Sequence, residues 1–252
     1  MRKTLMSVVA IFALFGGMMT VAADQRARLR IGTEGAYAPF NNIESDGSVT
    51  GFDLDLAGEL CRRMDAECTV YTQEWTGLIP ALNANRYDFI VASMSITDER
   101  RQEVDFTDHY YTNKLNFVGR KGVAVDVGRE GMKGKKVGVQ GGTLAAEWLG
   151  ENYPDAVVQK YENQQKVYQD LIEGRVDVVL ADMLANWAWV ETPEGKEFEF
   201  KGGPVFDDDK VAIEVRKGDF ILRERLNRAL REVIADGTYK TINDKYFPFS
   251  IY

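Results

Sequence analysis

The chain has 252 residues, enough for one large domain or two smaller ones, and carries 39 acidic against 31 basic side chains with a formal charge of −8. That acidic balance argues against nucleic acid or an anionic membrane as partner; it is compatible with a cationic ligand, although solubility alone explains it equally well. Two cysteines and one histidine do not make a zinc ligand set, and no second histidine is present to tune a nucleophilic thiol, so no metal, cofactor or cysteine chemistry is expected.

Residues 1–23 read as an export signal. Arg2 and Lys3 form a basic start, Leu5 to Thr20 is apolar with small residues, and Val21-Ala22-Ala23 suits cleavage before Asp24. The run is too short and wrongly flanked for a membrane anchor, and no later stretch is long enough to span a bilayer. A secreted, soluble protein with no direct membrane insertion is expected, and losing the signal takes the formal charge from −8 to about −10.

Leu29-Arg30-Ile31-Gly32-Thr33 reads as a strand running into the turn-rich loop Glu34-Gly35-Ala36-Tyr37-Ala38-Pro39-Phe40. From Phe52, the spacing of Leu56, Leu60 and Met64 predicts an amphipathic helix. Cys61 and Cys68 then read as a disulfide between the helix end and the next strand, Thr69-Val70-Tyr71, since the chain is exported. Trp75 to Leu82 opens another helix, with Pro80 confined to its first turn.

Phe89-Ile90-Val91-Ala92 is a buried strand, and Ser93-Met94-Ser95-Ile96-Thr97-Asp98-Glu99-Arg100 follows just beyond its carboxyl end, where open α/β sheets bind ligands. Two hydroxyls and a guanidinium there suit a carboxylate; a polar loop with a solvated arginine is the plainer alternative. Lys136 to Val139 is a further strand, and Gln140-Gly141-Gly142-Thr143 leads into a helix from Leu144, which offers free N–H groups to an anion. No lysine follows the glycines as a P-loop requires, so a carboxylate contact through Thr143 is the better reading.

The design then repeats. Asn163 caps a helix carrying Val167, Tyr168, Leu171 and Ile172, ended by Gly174, and Arg175-Val176-Asp177-Val178-Val179-Leu180-Ala181 matches Arg86-Tyr87-Asp88-Phe89-Ile90-Val91-Ala92 in pattern. Two copies suggest two similarly built α/β lobes rather than one sheet. The second strand ends at Asp182 as the first ends at Ser93, so facing lobes bring a carboxylate to the hydroxyls and Arg100; a helix N-cap is the alternative for Asp182. A last helix from Asp219 to Asp236 shows Leu222, Leu226, Leu230 and Val233 on one face, and the aromatic tail from Tyr239 to Tyr252 is expected to pack.

The segments Ile31 to Phe40, Gly51 to Leu56, Ser95 to Arg100 and Asp236-Gly237-Thr238-Tyr239 through Tyr246-Phe247 resemble the periplasmic polar amino-acid-binding proteins of ABC importers, solute-binding protein family 3. The likeness spans the mature chain and is greatest to the lysine/arginine/ornithine- and histidine-binding members. It implies a type II periplasmic-binding-protein fold of class α/β. Lobe 1 would take 24–112 and 212–252, and lobe 2 the inserted 113–211, with hinge strands near Thr112 to Leu115 and Asp208 to Val211. It further implies that Arg100, Ser95 and Thr143 hold an α-carboxylate and that Asp182 and Ser93 take the α-ammonium. Tyr37 and Trp75 would sandwich the side chain, and Glu34 would face its cationic tip. Ala92 stands where the lysine/arginine/ornithine proteins have serine, Glu34 replaces a shorter aspartate, and Trp75 a smaller phenylalanine, so the side-chain pocket is reshaped.

Arg100, Asp182 and Glu34 together sum to −1, which an amino acid with a cationic side chain neutralises, whereas a neutral one strands Glu34. The expected function is import of a basic amino acid (arginine, lysine or ornithine) by a monomeric, non-enzymatic binding protein serving a membrane ABC permease. Histidine or an opine are alternative ligands. A cyclohexadienyl dehydratase-like enzyme with Glu34 as acid or base, and a sensor module, are the readings of a different class.

Overall fold

The computed structural model describes residues 27–252, and the export-signal reading of residues 1–23 lies outside the described residues. Strand β1 (Ala27–Thr33) becomes fully buried toward its carboxyl end. A small antiparallel meander follows, β2 (Ala36–Tyr37), β3 (Asn41–Ile43) and β4 (Val49–Thr50). Helix α1 (Phe52–Arg63) buries Phe52, Leu56 and Leu60 and carries Asp53 and Asp55 in its first turn and Arg62 and Arg63 in its last, matching the helix dipole. Gly51 before it is required: its φ is 130° and a Cβ there would lie 2.2 Å from the Phe40 carbonyl oxygen.

The Cys61–Cys68 disulfide ties α1 to β5 (Ala66–Thr72). A single 3₁₀ turn at Trp75–Gly77 leads into α2 (Leu78–Asn83), where Pro80 is in the first turn and its missing N–H would have no intrahelical partner. Strand β6 (Phe89–Ser95) is buried at every position. It runs past Ala92, so Ser93 and Ser95 belong to the strand itself and not to a loop beyond it. Short helix α3 (Arg100–Glu103) and β7 (Val104–Phe106) come next.

Long strand β8 (Tyr111–Arg120) carries the chain away to β9 (Lys136–Gln140), α4 (Leu144–Asn152), β10 (Val157–Tyr161), α5 (Gln164–Ile172), β11 (Val178–Asp182) and α6 (Met183–Val190). The strand predicted from Arg175 thus begins only at Val178. Thr143 and Asn163 cap α4 and α5, each accepting from the backbone N–H three residues on. Strand β12 (Phe198–Arg216) brings the chain back to α7 (Phe220–Ala235), capped by Asp219, and α8 (Thr238–Tyr246).

The strands run in the order β10-β9-β11-β8-β12-β6-β1-β5, with β7 also on β12. At each end the neighbours are parallel, β5-β1-β6 and β10-β9-β11, with helices on both faces, and the inner strands β6 and β11, buried at nearly every position, are the ones that read as apolar runs. Between these two lobes lie antiparallel β8 and β12, so the lobes share one hydrogen-bonded ladder. It is irregular between Lys201 and Asp209 and regains register at Asp209↔Asn113, Lys210↔Thr112 and Val211↔Tyr111.

The repeated Arg-x-Asp pattern has a structural basis. Asp88 takes the Arg30 N–H at 2.9 Å and returns its own N–H to the Arg30 carbonyl at 2.8 Å. Asp177 does the same with Lys136, both contacts at 2.8 Å. Each aspartate pins the start of its central strand to the first strand of its lobe. The aromatic tail packs as expected: Tyr239, Phe247 and Ile251 are buried, Phe247 and Phe249 lie against Trp187 of α6, and Thr112 N–H bonds the Ile251 carbonyl at 3.0 Å.

Only a short loop is closed by the disulfide, so removing it with Cys61→Ser/Cys68→Ser should cost at most about 2–3 kcal/mol. Urea denaturation is expected to show that loss with ligand affinity unchanged, because both sulfurs lie at the far end of α1 from the cleft described next.

Candidate ligand-binding cleft

A cleft of about 400 Å³ lies between the lobes, and all nine residues singled out from the sequence line it: Glu34, Tyr37, Trp75, Ala92, Ser93, Ser95, Arg100, Thr143 and Asp182. The first seven come from the lobe built on β1 and β6, the last two from the lobe built on β9 and β11. Gln140, Leu144, Ala145, Gln164, Leu180 and Ala181 complete the wall and were not anticipated. Most sit at strand carboxyl ends or helix N-termini, because parallel strands with crossover helices deliver both to one edge of the sheet.

Arg100 is buried rather than solvated, at 8 % exposure. It donates to the Ser95 carbonyl at 2.8 Å and to the Gly142 carbonyl on the opposite lobe at 2.9 Å. Trp75 Nε1 donates to that same Gly142 carbonyl at 2.8 Å, and the guanidinium carbon stands 5.4 Å from the Trp75 ring centroid. Two of five guanidinium donors are thereby used. Burial draws the Arg100 pKa down against the upward pull of Glu214, Glu147, Asp209 and Asp182. The Thr143 hydroxyl donates to the Gln140 carbonyl at 2.8 Å and accepts from Ala146 N–H at 3.2 Å.

Asp182 occupies the N-cap position of α6, yet its side chain makes no capping bond. Burial and the neighbouring Asp209 hold its carboxyl above the usual range, while Tyr37, Asn113 and Arg100 pull the other way. Asp209 is itself buried, raised by the same desolvation, and accepts from Asn113 Nδ2 at 3.1 Å. Glu34 accepts from Gln140 Nε2 at 2.7 Å across the cleft, and burial pushes its carboxyl up to about 7 against the lowering effect of that bond.

Ser93 is held in place from behind. Its φ is +55°, an unusual backbone for a non-glycine strand residue, and its hydroxyl donates to Asp53 at 3.0 Å. Asp53 is fully buried and also receives Tyr110 Oη at 2.7 Å and Asn41 Nδ2 at 2.9 Å; Asn41 Oδ1 in turn takes the Gly35 N–H at 2.8 Å. One carboxylate therefore sets both Ser93 and the backbone beside Glu34. Burial raises it to about 6 despite those donors.

The simple sum over Arg100, Asp182 and Glu34 needs correcting, because Asp209 and Glu214 also surround Arg100. Glu214 is fully buried, neither of its carboxyl oxygens has a partner among the described residues, and burial shifts it well up. Sequence reasoning had a usable signal for Gln140, which directly precedes the glycine turn, and for Gln164, next to a capping asparagine. Glu214 offered only a lone acid in the apolar run Val211 to Val215.

Glu34 keeps its proton in the folded protein to about pH 7 against an ordinary 4.5, so the stability it contributes is complete below 4.5 and lost as pH rises through 7. Asp53 acts in the same direction. The urea midpoint of protein free of amino acid should therefore be lower at pH 8 than at pH 6, and Glu34→Gln should narrow the gap; an unchanged gap in that variant would refute the burial argument.

The sequence profile of the bacterial extracellular solute-binding proteins, family 3, matches residues 29–249. The L-arginine-binding protein of Pseudomonas aeruginosa is 39 % identical over 258 residues, covering 100 % of this chain and 98 % of that one. The histidine-binding periplasmic protein of Escherichia coli K12 is 37 % identical over 260 residues, covering 100 % and 99 %. An ancestral arginine-binding protein bound to arginine has a similar structure, with a TM-score of 0.83 at 36 % identity over 88 % of this chain and 99 % of that one.

Proposed function

The chain belongs to the bacterial extracellular solute-binding proteins of family 3, and from that premise we propose that it binds a basic L-amino acid in the periplasm and delivers it to the permease of an ABC importer. The observation that carries this reading is the placing of Arg100 and Asp182 on opposite lobes of one enclosed cleft, with Glu34 on the same wall as Arg100. Arg100 takes the α-carboxylate with the Thr143 N–H and the Ser95 hydroxyl. Asp182 takes the α-ammonium, and Ser93, whose proton is committed to Asp53, offers a hydroxyl lone pair to the same group.

Tyr37 and Trp75 line the path of the side chain, where cation–π attraction adds about 0.5–2 kcal/mol per aromatic face. A cationic tip next to Glu34 favours its ionised form and so draws off the proton that burial otherwise retains. Residues 24–112 and 212–252 act as one lobe and 113–211 as the other, closing about the paired segments near Thr112 and Lys210. The protein works as a monomer that presents its closed form to the permease. It releases the amino acid unchanged: Glu34 is tied to Gln140, and its role is charge recognition.

A second reading is favoured by one feature. Beyond Tyr37 and Gln164 the cleft borders a groove of about 1060 Å³ that includes Tyr168 and Trp189, and Gln164 Nε2 is buried without a partner among the described residues. An arginine-derived opine, with an extra carboxylate on the α-nitrogen, would supply an acceptor for that donor.

Calorimetry on the mature protein tests both. Arginine, lysine or ornithine should bind far more tightly than glutamine or glutamate, and failure of all three while glutamine binds tightly would sink the charge argument. Arg100→Ala and Asp182→Ala should each weaken binding about 100-fold or more, since each strands a ligand charge in a closed site. Tighter binding of octopine than of arginine would establish the opine reading.

A further inference from the structure

Gln140 was not among the expected ligand contacts, yet it is 2 % exposed, lines the cleft, and reaches across it to the other lobe. Its Nε2 donates to Glu34 Oε1 at 2.7 Å and approaches the Glu162 carbonyl at 3.4 Å. A backbone carbonyl can only accept, so the amide is fixed with its nitrogen on that side. The carbonyl Oε1 has no hydrogen-bond partner among the described residues, and it is not one of the sealed, unpartnered atoms of the interior. Gln140 therefore orients one Glu34 oxygen and adds an acceptor of its own.

We infer that Gln140 is the specificity-determining residue of the cleft, pairing with Glu34 to select a planar guanidinium tip over a primary ammonium. The inference rests on the basic-amino-acid reading above and makes it narrower. The Glu34 carboxylate and Gln140 Oε1 together present three acceptor oxygens from two lobes. A guanidinium spreads five N–H donors over a rigid plane and can meet a carboxylate two-fold while a further N–H turns to the amide oxygen. An ammonium concentrates three donors on one atom and holds water more strongly, so it gains less from a second, neutral acceptor placed to the side. Tyr37 and Trp75, both on the cleft wall, favour the same choice, because a flat cation stacks on an aromatic face and a tetrahedral one does not. Closure adds to the effect: only when the lobes meet does Gln140 stand beside Glu34, so the full acceptor set exists only in the closed form.

Titration calorimetry with arginine and lysine on the wild-type mature protein and on Gln140→Leu provides the test, with Gln140→Met as a second variant of similar volume and thermal unfolding as the check on folding. Wild type should bind arginine at least about tenfold more tightly than lysine. Gln140→Leu and Gln140→Met should lose about tenfold for arginine and no more than about threefold for lysine, bringing the ratio near unity. Wild type that prefers lysine, or a ratio untouched in both folded variants, overturns the role of Gln140 and leaves the basic-amino-acid reading standing. Wild type that binds neither arginine nor lysine overturns the role of Gln140, and failure of ornithine as well overturns the basic-amino-acid reading with it.

Discussion

Everything in this molecule depends on two antiparallel strands. Strands β8 and β12 are the only route by which the described sheet passes from one parallel half to the other, and the ladder between them is broken and re-registered over Lys201 to Asp209. A regular ladder through that stretch would make the halves one rigid slab with no space between their strand ends. The irregular joint lets the two carboxyl edges turn toward each other, and the cleft is the volume that results. Three of the four hydrophobic clusters belong to one half or the other, while the fourth also takes in Leu184, Ala185 and Trp187 of α6, so apolar packing as well as the two strands ties the halves together.

Polar contacts also cross the cleft. Arg100 and Trp75 share the Gly142 carbonyl, and Glu34 meets Gln140, so each side chain that would meet a ligand charge also meets the opposite lobe or is raised in pKa by burial. A charged ligand changes both conditions together. It brings opposite charges to groups that otherwise bear a desolvation penalty, and it does so only where the lobes are close enough to exclude water. Affinity and closure are in this sense one free-energy change. Asp53 gives the arrangement its stiffness, since a buried carboxylate with three side-chain donors holds the Ser93 strand and the Gly35 loop at fixed separation.

Much of this was legible in the sequence. Apolar runs gave β6 and β11, four-residue spacing gave α1 and α7, and the doubled Arg-x-Asp pattern pointed to two lobes because the same backbone lock is used twice. The nine proposed site residues converge on one cleft. Most were assigned through resemblance, since nothing in local spacing says that Glu34 and Asp182 share a cavity. What could not be read was long-range pairing. The extension of β6 to Ser95 depends on β12, some 115 residues later. Asp209, the last of three consecutive aspartates, and Glu214, a lone acid in an apolar run, escaped notice because nothing in their local pattern says that either is buried.

The way β12 and the tail return to β6 also dictates the order in which the protein can be completed. The half containing β9, β10 and β11 is contiguous in the chain, whereas β6 must wait for Val211 to Val215 and α1 for α7 and α8. During synthesis or passage through a membrane pore, the amino-terminal half is threaded first and yet becomes whole last. Until residues beyond Val211 emerge, its central strand has an open edge and the aromatic face of α1 lies uncovered. For any exported chain with this connectivity, the interval before the carboxyl-terminal 40 or so residues appear is when chaperone protection matters most.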